Sequence, residues 1–255
     1  MNDPFDPYFF IETEFANRAE FLRWVELHQP DKLRFVRKNA SYEGFTAGFE
    51  RVKDAFNERR QSTYLFSTSA EDEDAHPKSN LYMWGHYGFG HRGIALEFDT
   101  TILAQSLLAH GDPESRLKLK VTDLWVKVDY RAQVTPLSHQ AYLDFILSGP
   151  PSDDSSESPG LSGIVSFLNQ TLKTKHTVWS MEREWRLLWS NDSRGNVYHC
   201  PIQEGCVSGI YLGLRIDDED KRRLLSTVES RMPDVPVFQA KKVKSKFALE
   251  WVRTT

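Results

Sequence analysis

The ten residues Trp84-Gly85-His86-Tyr87-Gly88-Phe89-Gly90-His91-Arg92-Gly93 set two imidazoles, a phenol and an indole among glycines. Imidazole moves protons near neutral pH, and the rings offer stacking surface. A helix beginning at Asn80 puts Met83, His86 and Tyr87 on neighbouring faces, and the glycines can turn the chain so that His91 comes back toward them. The plainer reading is a tight helix-to-strand connection whose histidines bond backbone carbonyls, and the residues alone favour it. A metal site is not expected, because His86 and His91 lack the i, i+4 spacing of helical zinc ligands and no cysteine pair lies nearby.

A second group runs from Trp179 through Ser180, Met181, Glu182, Arg183, Glu184, Trp185 and Arg186 to Trp189. On a strand, the period of two puts Glu182, Glu184 and Arg186 on one face and Trp185, Leu187 and Trp189 on the other. One reading is an exposed ion-pair ladder of little energetic worth. The other is a paired-carboxylate site in which Arg186 keeps one carboxylate ionised. Asn2-Asp3-Pro4-Phe5 by itself is only a turn with an Asx-type hydrogen bond. The lysines at 241, 242, 244 and 246 read first as a solvated face.

These groups need a scaffold, and the chain of 255 residues, 40% hydrophobic and 27% charged, can supply one. Its net charge of −4 gives no general attraction to phosphate backbones or anionic lipid. No apolar run spans a membrane and no signal segment is visible, so the expected compartment is the cytoplasm. Cys200 and Cys206 read as free thiols. Helices are expected over Thr13–Gln29, Tyr42–Arg60, Pro136–Leu147, Leu161–Lys175 and from Asp217 to Arg231. Strands are expected at Thr63–Ser67, Ile94–Phe98 (mostly buried), Glu184–Trp189, Ser208–Leu214, Val235–Phe238 and Phe247–Val252, with two more segments between Leu117 and Val128. Glu71–Lys78 reads as a surface loop and 149–160 as a flexible insertion. Strand and crossover helix do not alternate regularly, and no glycine-rich phosphate loop follows a first strand. The fold class is therefore α+β: a single domain over 1–255, with a mixed or mainly antiparallel central sheet, flanking helices, and a helical N-terminal part (about 1–62) packed on the α+β body.

Taken in order, Asn2-Asp3-Pro4-Phe5, Phe66-Ser67, Trp84-Gly85-His86-Tyr87, His91-Arg92-Gly93, Val128-Asp129-Tyr130 and Trp179 through Arg186 resemble the pattern of a bacterial family known as domain of unknown function 2971. Members of that family carry a strand and helix ahead of the first motif, whereas this chain opens inside it. The expectation is either an upstream start or a lost sheet edge. The resemblance makes Ser67, Trp84, His86, Tyr87, His91, Trp179, Asn2 and Asp3 candidate substrate-binding residues.

The family name carries no reaction, but the Glu-x-Glu pair beside an aromatic and histidine wall looks like the arrangement in ADP-ribosyltransferase folds. By that analogy NAD is a substrate and no cofactor is required. Glu184 would stabilise the oxocarbenium-like transition state at the ribose, and Glu182 would orient or deprotonate the acceptor. Tyr87 or Trp84 would stack on nicotinamide, His86 or His91 would bond ribose or phosphate, and Arg186 would order the carboxylates or meet the pyrophosphate. The macromolecular acceptor is left open, and no membrane partner is expected. Two alternatives stand beside this reading. One is a non-catalytic nucleotide- or peptide-binding module. The other is a nuclease-like effector with His86 or His91 as acid/base and the four lysines on phosphates. A role in phage defence follows only from the kind of bacterial effectors such families contain.

Overall fold

The computed structural model describes residues 11–12, 15–61, 63–70, 77–110, 124–133, 137–139, 142–143, 171–190 and 199–254. The motif at Asn2 and Asp3 and the segment 149–160 lie outside them. The fold is α+β, and the chain forms two compact units. The first draws on Met1–Thr63 and Asp129–Thr177, the second on Tyr64–Val128, Val178–Asn191 and Asn196–Thr255.

In the first unit, β1 (Ile11–Glu12) is followed by α1 (Arg18–His28), a 3-10 turn (Pro30–Lys32), α2 (Leu33–Asn39) and α3 (Tyr42–Gln61). The helix start falls later than the apolar spacing suggests because Asn17 caps it. Its side chain accepts from Glu20 N at 3.1 Å, while Glu20 Oε2 accepts from Ala16 N at 2.9 Å. The α3 stripe buries Phe45, Phe49 and Phe56. Phe45 joins Phe15, Phe21, Trp24, Val25, Val36 and Leu143 in one core cluster. The helix expected from Pro136 starts later: Leu137–Ser138 form a short strand pairing in parallel with β1, and His139, Tyr142 and Leu143 are helical. Thr174 and Lys175, read as the end of a helix, instead join His176 in a strand parallel to Asp129–Arg131. Parallel pairing at these short segments is set by partners remote in sequence, which helical spacing does not report.

The second unit holds two sheets. Numbering on in chain order, its strands are β2 (Thr63–Ser69), β3 (Ile94–Phe98), β4 (Trp125–Lys127), β8 (Glu184–Ser190), β9 (Val207–Leu212), β10 (Val237–Lys242) and β11 (Leu249–Arg253), while β5 (Asp129–Arg131), β6 (Leu137–Ser138) and β7 (Thr174–His176) belong to the first unit. One sheet has the order β2-β8-β4 and the other β11-β10-β9-β3. The helices of this unit are α4 (Leu81–His86), α5 (Thr100–His110) and α6 (Asp218–Arg231). The core of the first sheet gathers Leu103, Ala104, Leu124, Leu187, Trp189 and Cys206, and that of the second Ile210, Leu212, Val228 and Val237. The α6 start is capped by Asp217 and carries Asp218, Glu219 and Asp220 in its first turn, with Arg231 in its last. β3 departs from the expected burial: Ile94 is 41% and Leu96 44% exposed. It is an outer strand of its sheet, and its apolar residues line a hollow instead of a filled core. Among the described residues, no helix is long and apolar enough to cross a membrane.

The first unit contains a buried titratable group, His139, ringed by Phe15, Phe45 and Phe49 at 5.5, 5.3 and 4.5 Å. Its Nδ1 accepts from Phe15 N at 3.3 Å, which only neutral imidazole can do. Burial lowers its pKa from the ordinary 6.5, opposed by Glu50 and reinforced by Lys53. The unfolded chain therefore binds the proton first as pH falls, so stability decreases from pH about 6.5 downward toward the folded value. Urea unfolding between pH 7.5 and 5 should show this slope, and His139→Gln, which keeps an acceptor but does not titrate, should flatten it. An unchanged slope in the variant would assign the effect to other groups.

Candidate functional site

The hollow lies in the second unit and has a volume of about 870 Å³. That falls within the usual range of about 300–1,000 Å³ for ligand sites. Phe66, Trp84, Tyr87, Phe98, Trp125 and Trp185 supply rings to its wall, and Ser67, Thr68, Ser69 and Thr100 supply hydroxyls. Lys78 and Glu97 are its charged members, and Tyr211 adds a second phenol to that of Tyr87. Phe66 and Phe98 meet edge to face at 5.7 Å, joining β2 to β3 across it.

α4 and the turn after it are built around Asn80 and Trp84. Asn80 Oδ1 accepts from Tyr82 N at 3.1 Å and Met83 N at 3.4 Å, and its Nδ2 donates to Met181 O at 2.6 Å. One side chain thus caps the helix and ties it to the Thr177–Glu182 turn. Trp84 is buried, and its Nε1 donates to Lys78 O at 2.7 Å, which fixes the chain that carries Lys78. Gly88 is required here: a Cβ would sit 2.7 Å from Trp84 O and 2.8 Å from its ring. The chain then passes through three consecutive left-handed residues, Phe89, Gly90 and His91, and His91 N donates to Trp84 O at 3.0 Å.

The histidine-bearing turn and the acidic segment do meet. Tyr87 Oη donates to Glu182 Oε1 at 2.5 Å. His86 lies 5.8 Å from the Trp179 ring and 4.8 Å from Tyr87, on an exposed surface and not among the cavity residues. His91 stacks on Trp84 at 6.5 Å, its carbonyl accepts from Arg215 N at 2.8 Å, and its buried Nδ1 has no hydrogen-bond partner. Of the expected binding residues, Ser67, Trp84 and Tyr87 line the cavity.

The face predicted for Glu182, Glu184 and Arg186 is divided. Glu182 belongs to the 3-10 turn Thr177–Glu182, and Arg183 follows with φ 50°, so β8 starts only at Glu184. Glu184 and Arg186 do share a face, but a buried one, with exposures of 5% and 0%. Arg186 Nε donates to Glu184 Oε1 at 2.9 Å and Nη2 to Oε2 at 3.1 Å. This replaces the exposed ladder with a desolvated bidentate pair. β2 is fastened to the same region, with Thr68 Oγ1 donating to Trp185 O at 3.1 Å and Ser69 Oγ to Glu182 O at 2.7 Å.

The corner of the cavity formed by Glu97, Tyr211 and Lys78 was not singled out from the sequence. Glu97 is the one ionisable group in the apolar run Ile94–Phe98, a signal that was available. Tyr211 Oη donates to Glu97 Oε2, and Lys78 Nζ donates to Tyr211 Oη at 3.4 Å from above the ring, 5.0 Å from its centroid. Burial, with Glu97 as bond partner and charge, pushes the Tyr211 phenol above its usual range and keeps it a neutral donor. Among the described residues, no cluster of three or more His, Cys, Asp or Glu could hold a metal ion.

Removing one member of the buried pair strands the other. Arg186→Met or Glu184→Gln should each cost about 3–5 kcal/mol in urea unfolding, and Glu184→Leu combined with Arg186→Met should recover much of that loss. A single-variant loss below about 0.5 kcal/mol, the scale of ordinary surface changes, would mean that the pair is open to water.

No curated protein and no solved structure matches the chain. The matched part of a family model runs from Met83 to Leu187, a stretch that contains the Trp84, His91, Val128 and Trp179–Arg186 motifs and supplies most of the cavity wall, while Asn2–Phe5 and Phe66-Ser67 fall outside it. Residues 83–187 therefore carry a shown resemblance to the family described as Protein of unknown function (DUF2971).

Proposed function

We propose that the second unit is a nucleotide-binding module whose cavity takes a dinucleotide of the NAD type. The observation that carries this reading is the cavity itself: ligand-sized, walled by aromatic rings for stacking, and rimmed by hydroxyls for sugar and phosphate oxygens. On this reading Trp84 and Tyr87 are contact residues, Ser67 a polar rim residue, and His86 and Trp179 an outer brace behind Tyr87. Glu184 and Arg186 serve as the support of the β8 wall, because a carboxylate held at both oxygens by one guanidinium reaches a substrate only by giving up that pair.

Transfer or hydrolysis of the ADP-ribosyl group is a second reading, favoured by one bond. Tyr87, a cavity residue, donates to Glu182, which makes Glu182 the member of the Glu-x-Glu pair nearer to a bound ligand in function. The acceptor would be a water or a macromolecular nucleophile. The lysine-borne nuclease reading draws no support from the cavity, since Lys241, Lys242, Lys244 and Lys246 lie at the exposed β10–β11 hairpin.

Calorimetric titration of the full chain with NAD should give saturable binding that is lost on Ser67→Trp, a substitution that fills the cavity from its rim while the melting temperature holds. Absence of binding by the wild-type chain sinks the nucleotide reading. If NAD is also consumed, as followed by chromatography of released nicotinamide, Glu182→Gln should cut turnover at least about 100-fold with binding retained. Binding without turnover would leave the module non-catalytic.

A further inference from the structure

The corner of the cavity around Glu97 is more specialised than a stacking wall. Glu97 lies opposite Gly209 in the β3–β9 register. A Cβ at Gly209 would stand 2.9 Å from Glu97 Oε2, so glycine gives the carboxylate its resting place against the sheet. Tyr211 donates to that oxygen, and its own ring is fixed by Phe238, stacked at 5.1 Å, and Trp251, edge-on at 5.1 Å. The result is a positioned carboxylate opening into an aromatic-walled hollow. Ring faces carry negative potential and a carboxylate adds a full negative charge, so such a wall favours a cation that is poorly hydrated and flat. Lys78 brings the opposing charge close by, over the Tyr211 ring, and tempers this preference.

We propose that the Glu97 corner binds a permanently cationic planar ring of the pyridinium class. The inference rests on the cavity being the ligand site and narrows its substrate class to ligands whose ring carries a positive charge. Glu97 supplies the charge that discriminates, Tyr211 positions it, and Lys78 limits its strength.

The probes are 1-methylnicotinamide, a pyridinium cation, and nicotinamide, its neutral counterpart, titrated into the full chain by calorimetry or tryptophan fluorescence. The cation should bind about tenfold more tightly than the neutral ring. Glu97→Gln, whose amide oxygen still accepts from Tyr211, should bring that ratio close to one while leaving nicotinamide binding and the melting temperature unchanged. Lys78→Met should shift the ratio the other way, strengthening the cation's binding. Equal binding of the two rings, no binding of either, or a preference indifferent to Glu97→Gln overturns the inference. Cation binding in a chain that fails to bind NAD leaves the inference standing and overturns only the dinucleotide reading.

Discussion

The second unit is organised by the desolvated pair of Glu184 and Arg186 on β8. Burying two charges is costly, and the cost is offset only when geometry is good and the remaining donors are satisfied. Arg186 meets both carboxylate oxygens, which fixes the direction of the β8 side chains at its first residues. With that face committed to the interior, Trp185 is turned to the opposite side and becomes part of the cavity wall. The backbone around the pair is tied as well: Val128 N donates to Glu184 O at 2.9 Å, and Ala70 N donates to Arg183 O at 3.3 Å. β4 and β2 are thereby held on either side of β8, and the cavity inherits its walls from that order.

Much of the scaffold was legible because its signals are local. The α3 stripe of phenylalanines, the Asp217 cap of α6 and the strands β8, β9 and β10 follow from spacing and capping, which need no knowledge of distant partners. The parallel strands β6 and β7 were not legible for the opposite reason. Two or three residues paired with segments more than about forty positions away leave no periodic trace. The expected mixed or mainly antiparallel sheet is seen as several sheets, with antiparallel pairs at β3–β9, β4–β8 and β10–β11 and a parallel pair at β9–β10.

The site was legible in half of its parts. The period-two rule placed Glu184 and Arg186 on a common face, and they share one, but the rule cannot say whether that face meets water or core. It failed for Glu182 because Arg183 leaves the extended region, and a backbone reversal at a single non-glycine residue has no compositional warning. The contact between Tyr87 and Glu182 joins positions 95 apart in the chain, reached in the sequence only through the family pattern. Tyr211 and Lys78 look ordinary in their own segments, and Glu97, though conspicuous in its apolar run, gains its meaning only from the fold that makes the three side chains converge.

The run of Phe89, Gly90 and His91, all with positive φ, bears on how this region can drift over generations. Left-handed backbone penalises side chains with a Cβ, most of all the β-branched ones. Glycine, asparagine and aspartate are thus the replacements the hinge accepts at least expense, and valine, isoleucine and threonine are shut out there whatever their polarity. Variation among natural versions of this hinge would accordingly follow torsional permission more closely than hydrophobicity, and Phe89, 78% exposed in spite of its size, is the position where that distinction is easiest to observe.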